Sequence, residues 1–563
     1  MKKRIYFVVV LPLVLFSACE KLDREFVTSL SEKQVSKSYD YVSYSVVNLY
    51  NDLPSGFLEV DGAMMASAGD EAEHTLETSA IQKFNVGAWN PYDNPDDVWD
   101  KYFRAIRKAN QVLSIADSVN LDIYRLDPDP AAQIVYKNRV GEIKRWKYEV
   151  RLLKAFFYFE LVKRYGGVPI IDNIFSLGDN FGQVSRNTLA DCIQYISIEC
   201  DSTATGLPVK YANKDLGRVT KGTALALKSR VLLYAASDLF NDPSWASGYA
   251  DPEYISLPSG DRAARWRAAA DAAKALIGLA GSEYALNSDY PSLFKTFNDK
   301  ELILVSRAPA SNDFEIASYP VGFDLGRGGT TPSQDLVDAY EMVDGSRFDW
   351  SNPAHAADPY SNRDPRLGYS ILTNFALFKG RHAECYAGGK DGKGIPMATK
   401  TGYYLKKYVD ENIDLLTGTS SVHSWIIFRL SEIYLNYAEA LNECNPGNPD
   451  IEIYLNRVRQ RPGVELPAVT GLGQSEMREK IRNERRVELA FEDHRLWDLR
   501  RWMLASAVLS KPLRSVEVTP ITDSTFLYQV IPVENRSFTN KMYFYPIPQT
   551  EIVLTGWPQN TLW

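Results

Sequence analysis

Histidine and cysteine are both scarce in this 563-residue chain, five of each, and neither is arranged for chemistry. Cys19, Cys192, Cys200, Cys385 and Cys444 form no CxxC pair and no metal-ligand spacing, and the histidines stand apart. That argues against a zinc or thiol enzyme, and no metal or cofactor site is expected. Cys192 and Cys200 lie two helical turns apart, about 12 Å at the usual helical rise, too far for a disulfide within one helix. Basic charge is not in excess either. Lys and Arg number 63 against 71 Asp and Glu, a formal net charge of −8, which argues against a nucleic-acid partner.

What is present starts at the N-terminus. Lys2, Lys3 and Arg4 precede the apolar run Ile5 to Phe16, then Ser17, Ala18 and Cys19. A basic start, a short apolar stretch and small residues before the cut read as a secretory signal. The run spans roughly 18 Å, short of the ~30 Å hydrocarbon core, so it is no stable transmembrane helix. Cys after Ser-Ala resembles a lipobox, with Phe16 in place of the more usual Leu. Residues 1–18 are therefore expected to be removed and Cys19 lipidated, leaving a tethered domain over 19–563.

Aromatic residues are plentiful, 33 Tyr and 11 Trp among them. Tyr and Trp combine an apolar ring with a polar tip, which suits both helix packing and wet binding surfaces. Length alone allows three or four domains.

The stretch Arg478 to Trp502, REKIRNERRVELAFEDHRLWDLRRW, is more than half charged yet contains no Gly or Pro, and its composition predicts a helix. Ile481, Glu484, Glu488 and Phe491 follow helical spacing, which places two carboxylates between apolar anchors. Glu484 and Glu488 then stand roughly 5–6 Å apart. That separation suits the acid and nucleophile of a retaining glycosidase. It equally suits a structural network with Arg485, Arg486, Arg495, Arg500 and Arg501. So many guanidinium groups lower carboxylate pKa values and spoil a proton donor, which favours the network.

Along the chain, Ser36–Asn51 reads as a first helix. Asn94, Pro95 and the acids after them read as the cap and first turn of a second, which accounts for the Asp cluster without calcium. Arg145–Tyr165 is strongly helical and stops at Gly166-Gly167-Val168-Pro169. Leu189–Thr205, Thr220–Phe240, Asp261–Leu279, Phe428–Glu443 and Ile451–Arg461 continue a series of helix-turn-helix units. The expected class is all-α, a tetratricopeptide-like (TPR-like) helical-repeat scaffold with long irregular insertions and minor short strands. ELILVSRA is a strand candidate, and Thr331-Pro332-Ser333-Gln334 resembles a capping box opening DLVDAYEM. The irregular region from about Asp289 to Asp410 is too long to be a mere connection.

Several pieces, in order, resemble the SusD/RagB family: RLLKAFFYFELVKRYGGVPI, LVDAYEMVDG with NRDPRL, RLSEIYLNYAEALNE, the run IRNERRVELAFEDHRLWDLRRW, and FYPIPQTEI. The resemblance spans almost the whole mature chain. It implies one SusD-like domain over 19–563, with a TPR-containing part to about 220 and a RagB/SusD part with ligand loops over about 221–563. It implies a non-catalytic, surface-exposed outer-membrane lipoprotein that binds oligo- or polysaccharide and serves a SusC-like TonB-dependent transporter. Two rival readings are an all-α glycoside hydrolase using Glu484 and Glu488, and a TPR-like adaptor that binds only protein.

Sugar recognition needs rigid rings for C–H faces and fixed polar groups for hydroxyls. Loop aromatics are the better candidates, because those on helices serve packing. Trp89 and Tyr92 in GAWNPYDNP are the first choice, since a Trp between Gly-Ala and Asn-Pro looks poorly packed locally. Asp70 in AGDEAE is the hydroxyl acceptor, and Phe323, Arg363, Tyr386 and Tyr403 come from the irregular middle. Arg363 and Asp364 equally suit a bracing role.

Overall fold

The computed structural model describes residues 37–176, 178–179, 182 and 184–563; the expected signal sequence and Cys19 lie outside them. The main helices are α1 (Tyr39–Asn48), α2 (Trp99–Ala116), α3 (Pro130–Tyr165), α4 (Leu189–Gly206), α5 (Lys221–Ala236), α6 (Arg262–Ile277), α7 (Leu430–Cys444), α8 (Pro449–Arg459), α9 (Gln474–Glu488) and α10 (Arg495–Arg501). From α2 to α8 each packs on the next in chain order, and α9 joins α7 and α8. That serial stacking is the repeat scaffold expected from the sequence, interrupted between α6 and α7 by the long insertion. Among the described residues no helix is long and apolar enough to cross a membrane.

Local chemistry sets most helix ends. Thr188 and Thr220 close capping boxes at α4 and α5, and Asn448 caps α8 with Pro449 behind it. Helix α3 is 36 residues, longer than its apolar half suggests, because Asp129 and Pro130 start it well upstream. It ends at Gly166, whose φ is 73°; a Cβ there would stand 2.2 Å from the Tyr254 carbonyl oxygen.

Other helix boundaries also differ from the sequence reading. Asn94 does not cap α2: its Oδ1 accepts from the Asp96 N–H in a separate turn, and the helix begins at Trp99. Asp96 instead pairs with Arg164, and Asp97 accepts from the Tyr165 hydroxyl. The charged stretch Arg478–Trp502 is not one helix. It breaks between α9 and α10, where Phe491 and Asp493 take φ of 61° and 58°. Glu492, between them, is drawn to Arg429 and Lys407 at 2.7 Å each.

Strands are few and short. β1 (Ala72–His74) pairs with β3 (Thr330–Pro332), and β2 (Leu302–Arg307), the strand expected at ELILVSRA, pairs with β4 (Ser424–Arg429). Ser333 caps a four-residue helix, Gln334–Val337, so only the first three residues of DLVDAYEM are helical. Near the C-terminus β5 (Leu513–Pro520) and β6 (Phe526–Glu534) form a hairpin. Its period of two puts Phe526, Tyr528 and Val530 on one face, against the insertion.

Candidate functional site

That hairpin face meets two loops of the insertion in a continuous line of rings. Phe375 stacks on His382 with centroids 4.3 Å apart and planes within 3°. Phe526 follows at 5.4 Å from Phe375, and Tyr386 stacks on Phe526 at 5.2 Å. Tyr528 lies 6.4 Å beyond Phe526, then Tyr360 and Tyr403 at 5.3 and 6.1 Å steps. His382 is exposed, Phe375, Tyr386, Phe526, Tyr528 and Tyr360 are half-buried, and Tyr403 is sealed.

The line is rigidly backed. Tyr403 donates to Gln334 at 2.6 Å, Gln334 to Asp338 at 2.7 Å, and the Trp350 indole N–H to the same carboxylate at 3.0 Å. Arg381 forks onto Asp391 at 2.7 and 2.9 Å and lies 3.5 Å over Phe323. His382 Nδ1 is 2.7 Å from the Phe375 carbonyl oxygen, which fixes its ring. Phe375 itself has φ of 64°, a costly conformation for a bulky residue, held here by its neighbours. Slight burial, then the adjacent Glu384, raises the Tyr386 phenol above its ordinary pKa and keeps it a neutral donor. Glu384, Asp523 and Asp358 stand near the tyrosines, with Lys390 beside Glu384.

The expected site residues scatter. Of the seven, Tyr386 lies half-buried in the ring line, and Tyr403 anchors its buried end. Phe323 is buried beneath Arg381 and edge-on to Phe378. Arg363 is buried too, donating to the carbonyls of Pro359, Val337 and Tyr340 and lying over Phe348, so it braces the loop under Tyr360. Asp70 has both oxygens occupied by Arg486 and Arg495. Burial pushes its pKa up, but the two guanidinium groups outweigh that and hold it well below the carboxylate range.

Trp89 requires a correction. Rather than being poorly packed it is 1% exposed, wedged among Phe84, Tyr545 and Trp563 at 4.7–5.1 Å. No ring face is left for a ligand. Its neighbour Tyr92 is 82% exposed on a turn beside the short C-terminal helix Gln549–Thr555. The sequence reading missed Tyr360, Phe375, His382, Phe526 and Tyr528. Only the alternation in TFLYQV hinted at the last pair.

Apart from the ring line, a groove of about 920 Å³ at Asp70 is walled by Asp335, Glu479, Arg347, Arg482, Arg486 and Arg514. Its Tyr340 and Trp502 rings are buried and its Phe348 ring, half-buried, lies under the Arg363 guanidinium, so charge dominates its wall. Glu484 and Glu488 lie deeper, both buried. Glu484 accepts from Arg366 and Arg459 at 2.6 and 2.9 Å, and Glu488 from Arg366, Arg429 and Arg461 at 2.8, 2.6 and 2.9 Å. Burial raises both carboxyls, but these arginines override it and depress both pKa values. This is the structural network; the two carboxylates hold neither a transferable proton nor a place for a sugar.

Comparison with known proteins agrees with this architecture. A family profile described as "SusD family" matches residues 310–563, and one described as "Starch-binding associating with outer membrane" matches 46–233. SusD-like protein P2 of Formosa agariphila is 24% identical over 465 residues, covering 81% of this chain and 77% of that relative. The crystal structure of a SusD-like protein from Bacteroides fragilis superposes with a TM-score of 0.77 at 27% identity, over 94% of this chain and 98% of that one. A protein described as a laminarin-binding SusD-like protein shares the fold at a TM-score of 0.64 and 20% identity, over 94% and 100%. The chain belongs to the SusD/RagB family, a family of carbohydrate-binding proteins.

Proposed function

We propose that this chain binds an oligosaccharide on the ring line from His382 to Tyr360 and passes it on intact. The observation that carries the reading is the half-buried set Phe375, Tyr386, Phe526 and Tyr528, ring next to ring at 5.2–6.4 Å on a rigid backing. Half-buried rings beside a fixed polar rim suit the C–H faces and hydroxyls of a sugar. Glu384, Asp523 and Asp358 outnumber Lys390 nearby, which favours a neutral glycan over an anionic one. Family membership supports the same class of ligand.

The same membership and the N-terminal sequence support a setting at the outer membrane. Lipid on Cys19 would tether the domain to the outer membrane, and a SusC-like TonB-dependent transporter would receive the cargo. A glycan array with starch, laminarin, plant and host polysaccharides should show retention of a neutral glycan, with no shorter product released into solution. Retention of none, or steady release of product, would remove this reading. Recovery of a TonB-dependent transporter with the tagged lipoprotein from membranes tests the partnership separately.

A further inference from the structure

Near the point where the chain enters the described fold, α3 walls a groove of about 770 Å³. Tyr136, Val140, Ile143, Lys144, Lys147 and Arg151 line it and recur at helical spacing, so they share one face of α3. The rest of the lining comes from the end of α2, the loop after it as far as Asp122, then Arg125, and Lys37. Five cations and two carboxylates line the groove, so positive charge is in excess. Lys147 pairs with Asp117 and Arg125 with Asp122, each at 2.7 Å, and Arg151 forks onto Glu199. Glu142 lies off the groove and accepts from the Tyr39 hydroxyl. Lys37 and Lys144 are exposed, and among the described residues neither has a carboxylate partner.

Aliphatic side chains stand beside these charges. Ile123 and Leu126, next in sequence to the lining residues Asp122 and Arg125, are 76% and 68% exposed, and Val140 in the lining is exposed as well. Exposed aliphatic groups among unpaired lysines are the composition of a surface that lies on a membrane. The chain's entry is fastened here too, since the Lys37 carbonyl accepts from the Asn120 N–H at 3.0 Å. Cys19, the expected lipid carrier, is 18 residues upstream. Fully extended, that length reaches at most about 65 Å, so the tether keeps the groove within that distance of the bilayer.

We propose, on the reading of Cys19 as the lipid anchor, that this groove docks on the membrane itself. Lys37 and Lys144 take the phosphate of an anionic lipid headgroup, and Ile123 and Leu126 enter the boundary of the acyl chains. The lipid phosphate supplies the negative charge that the two lysines lack. The tether holds headgroups at high local concentration, so individually weak contacts suffice. Free phosphate would match the lysines but leave the exposed aliphatic groups uncovered, and a protein partner has no tie to the point of chain entry. Docking of this kind would fix the orientation of the domain over the membrane as well as its distance from it.

Vesicle co-sedimentation of the chain from Glu20 onward, made without lipid, separates the groove from the anchor. It should bind phosphatidylcholine vesicles doped with phosphatidylglycerol or lipid A, ignore pure phosphatidylcholine, and let go as sodium chloride is raised. Lys37→Glu with Lys144→Glu, both at exposed positions, should weaken that binding at least about tenfold, since each basic residue near an anionic surface counts for about fivefold. Ile123→Ser with Leu126→Ser should weaken it as well. Inorganic phosphate at matched ionic strength should not release the chain; release would make the groove a simple phosphate site and overturn the proposal. Equal binding to charged and uncharged vesicles would overturn it too. So would a double-lysine variant that binds vesicles like wild type but no longer recovers a transporter from membranes, which would assign the groove to a protein. Mass spectrometry of the mature chain tests the anchor separately. An unmodified Cys19 removes the anchor reading alone, whereas a lipidated Cys19 with no vesicle binding by the groove removes this proposal alone.

Discussion

A single nitrogen of Arg366, Nη1, reaches Glu484 at 2.6 Å and Glu488 at 2.8 Å, so two carboxylates one helical turn apart share one guanidinium. Arg366 also forks onto Asp364 in the insertion, which ties α9 of the scaffold to the loops it carries. Replacing it leaves three buried carboxylates short of a partner. Arg366→Met should lower stability by about 3–5 kcal/mol in urea denaturation. A loss below about 1 kcal/mol would mean the network is ornamental.

Trp89 packs as core, so its removal should act on stability. Trp89→Ala should cost about 3–5 kcal/mol, measured by thermal or chemical denaturation. Glycan affinity of the folded protein should stay within about twofold of wild type, since the ring faces no solvent. A tenfold affinity loss without destabilisation would restore Trp89 to the binding surface.

Glu71 gives a pH signature. Burial first, then the neighbouring Asp70, pushes its carboxyl up from 4.5 to about 8, and its Oε1 has no partner. A carboxyl whose folded pKa is raised binds its proton more tightly in the native state. Its contribution is therefore complete below the unfolded value near 4.5 and is lost as pH rises through about 8. Between pH 6 and 9 the wild-type midpoint should fall more steeply than that of Glu71→Gln, which stays neutral throughout. Glu534, raised to about 7 by burial and by its hydrogen bond to Glu73, titrates in the same window, so the difference between the two proteins isolates Glu71. Parallel curves would show that Glu71 is ionised in the fold.

The helices were legible wherever a local device marks an end: Thr188, Thr220, Asn448 with Pro449, Gly166. The break between α9 and α10 was not, because nothing in VELAFEDH resembles a stop. It is the pull of Arg429 and Lys407 on Glu492 that accompanies left-handed Phe491 and Asp493. Glu484 and Glu488 could be read as network members from the density of arginines, although their actual partners, Arg366, Arg429, Arg459 and Arg461, lie outside that stretch. Trp89 looked unpacked because Tyr545 and Trp563, which enclose it, come from the far end of the chain. The ring line was invisible for the same reason: Phe375, Tyr386 and Phe526 meet only when the hairpin folds onto the insertion.

The most direct measurement is a calorimetric titration of the retained glycan into wild type and into a Tyr386→Ala, Phe526→Ala double variant that keeps the wild-type far-ultraviolet spectrum. Stacking on these rings predicts at least a tenfold loss of affinity, about 1.4 kcal/mol, with the ligand recovered uncut from the wild-type cell. Unchanged affinity in the double variant would place sugar recognition elsewhere on the molecule.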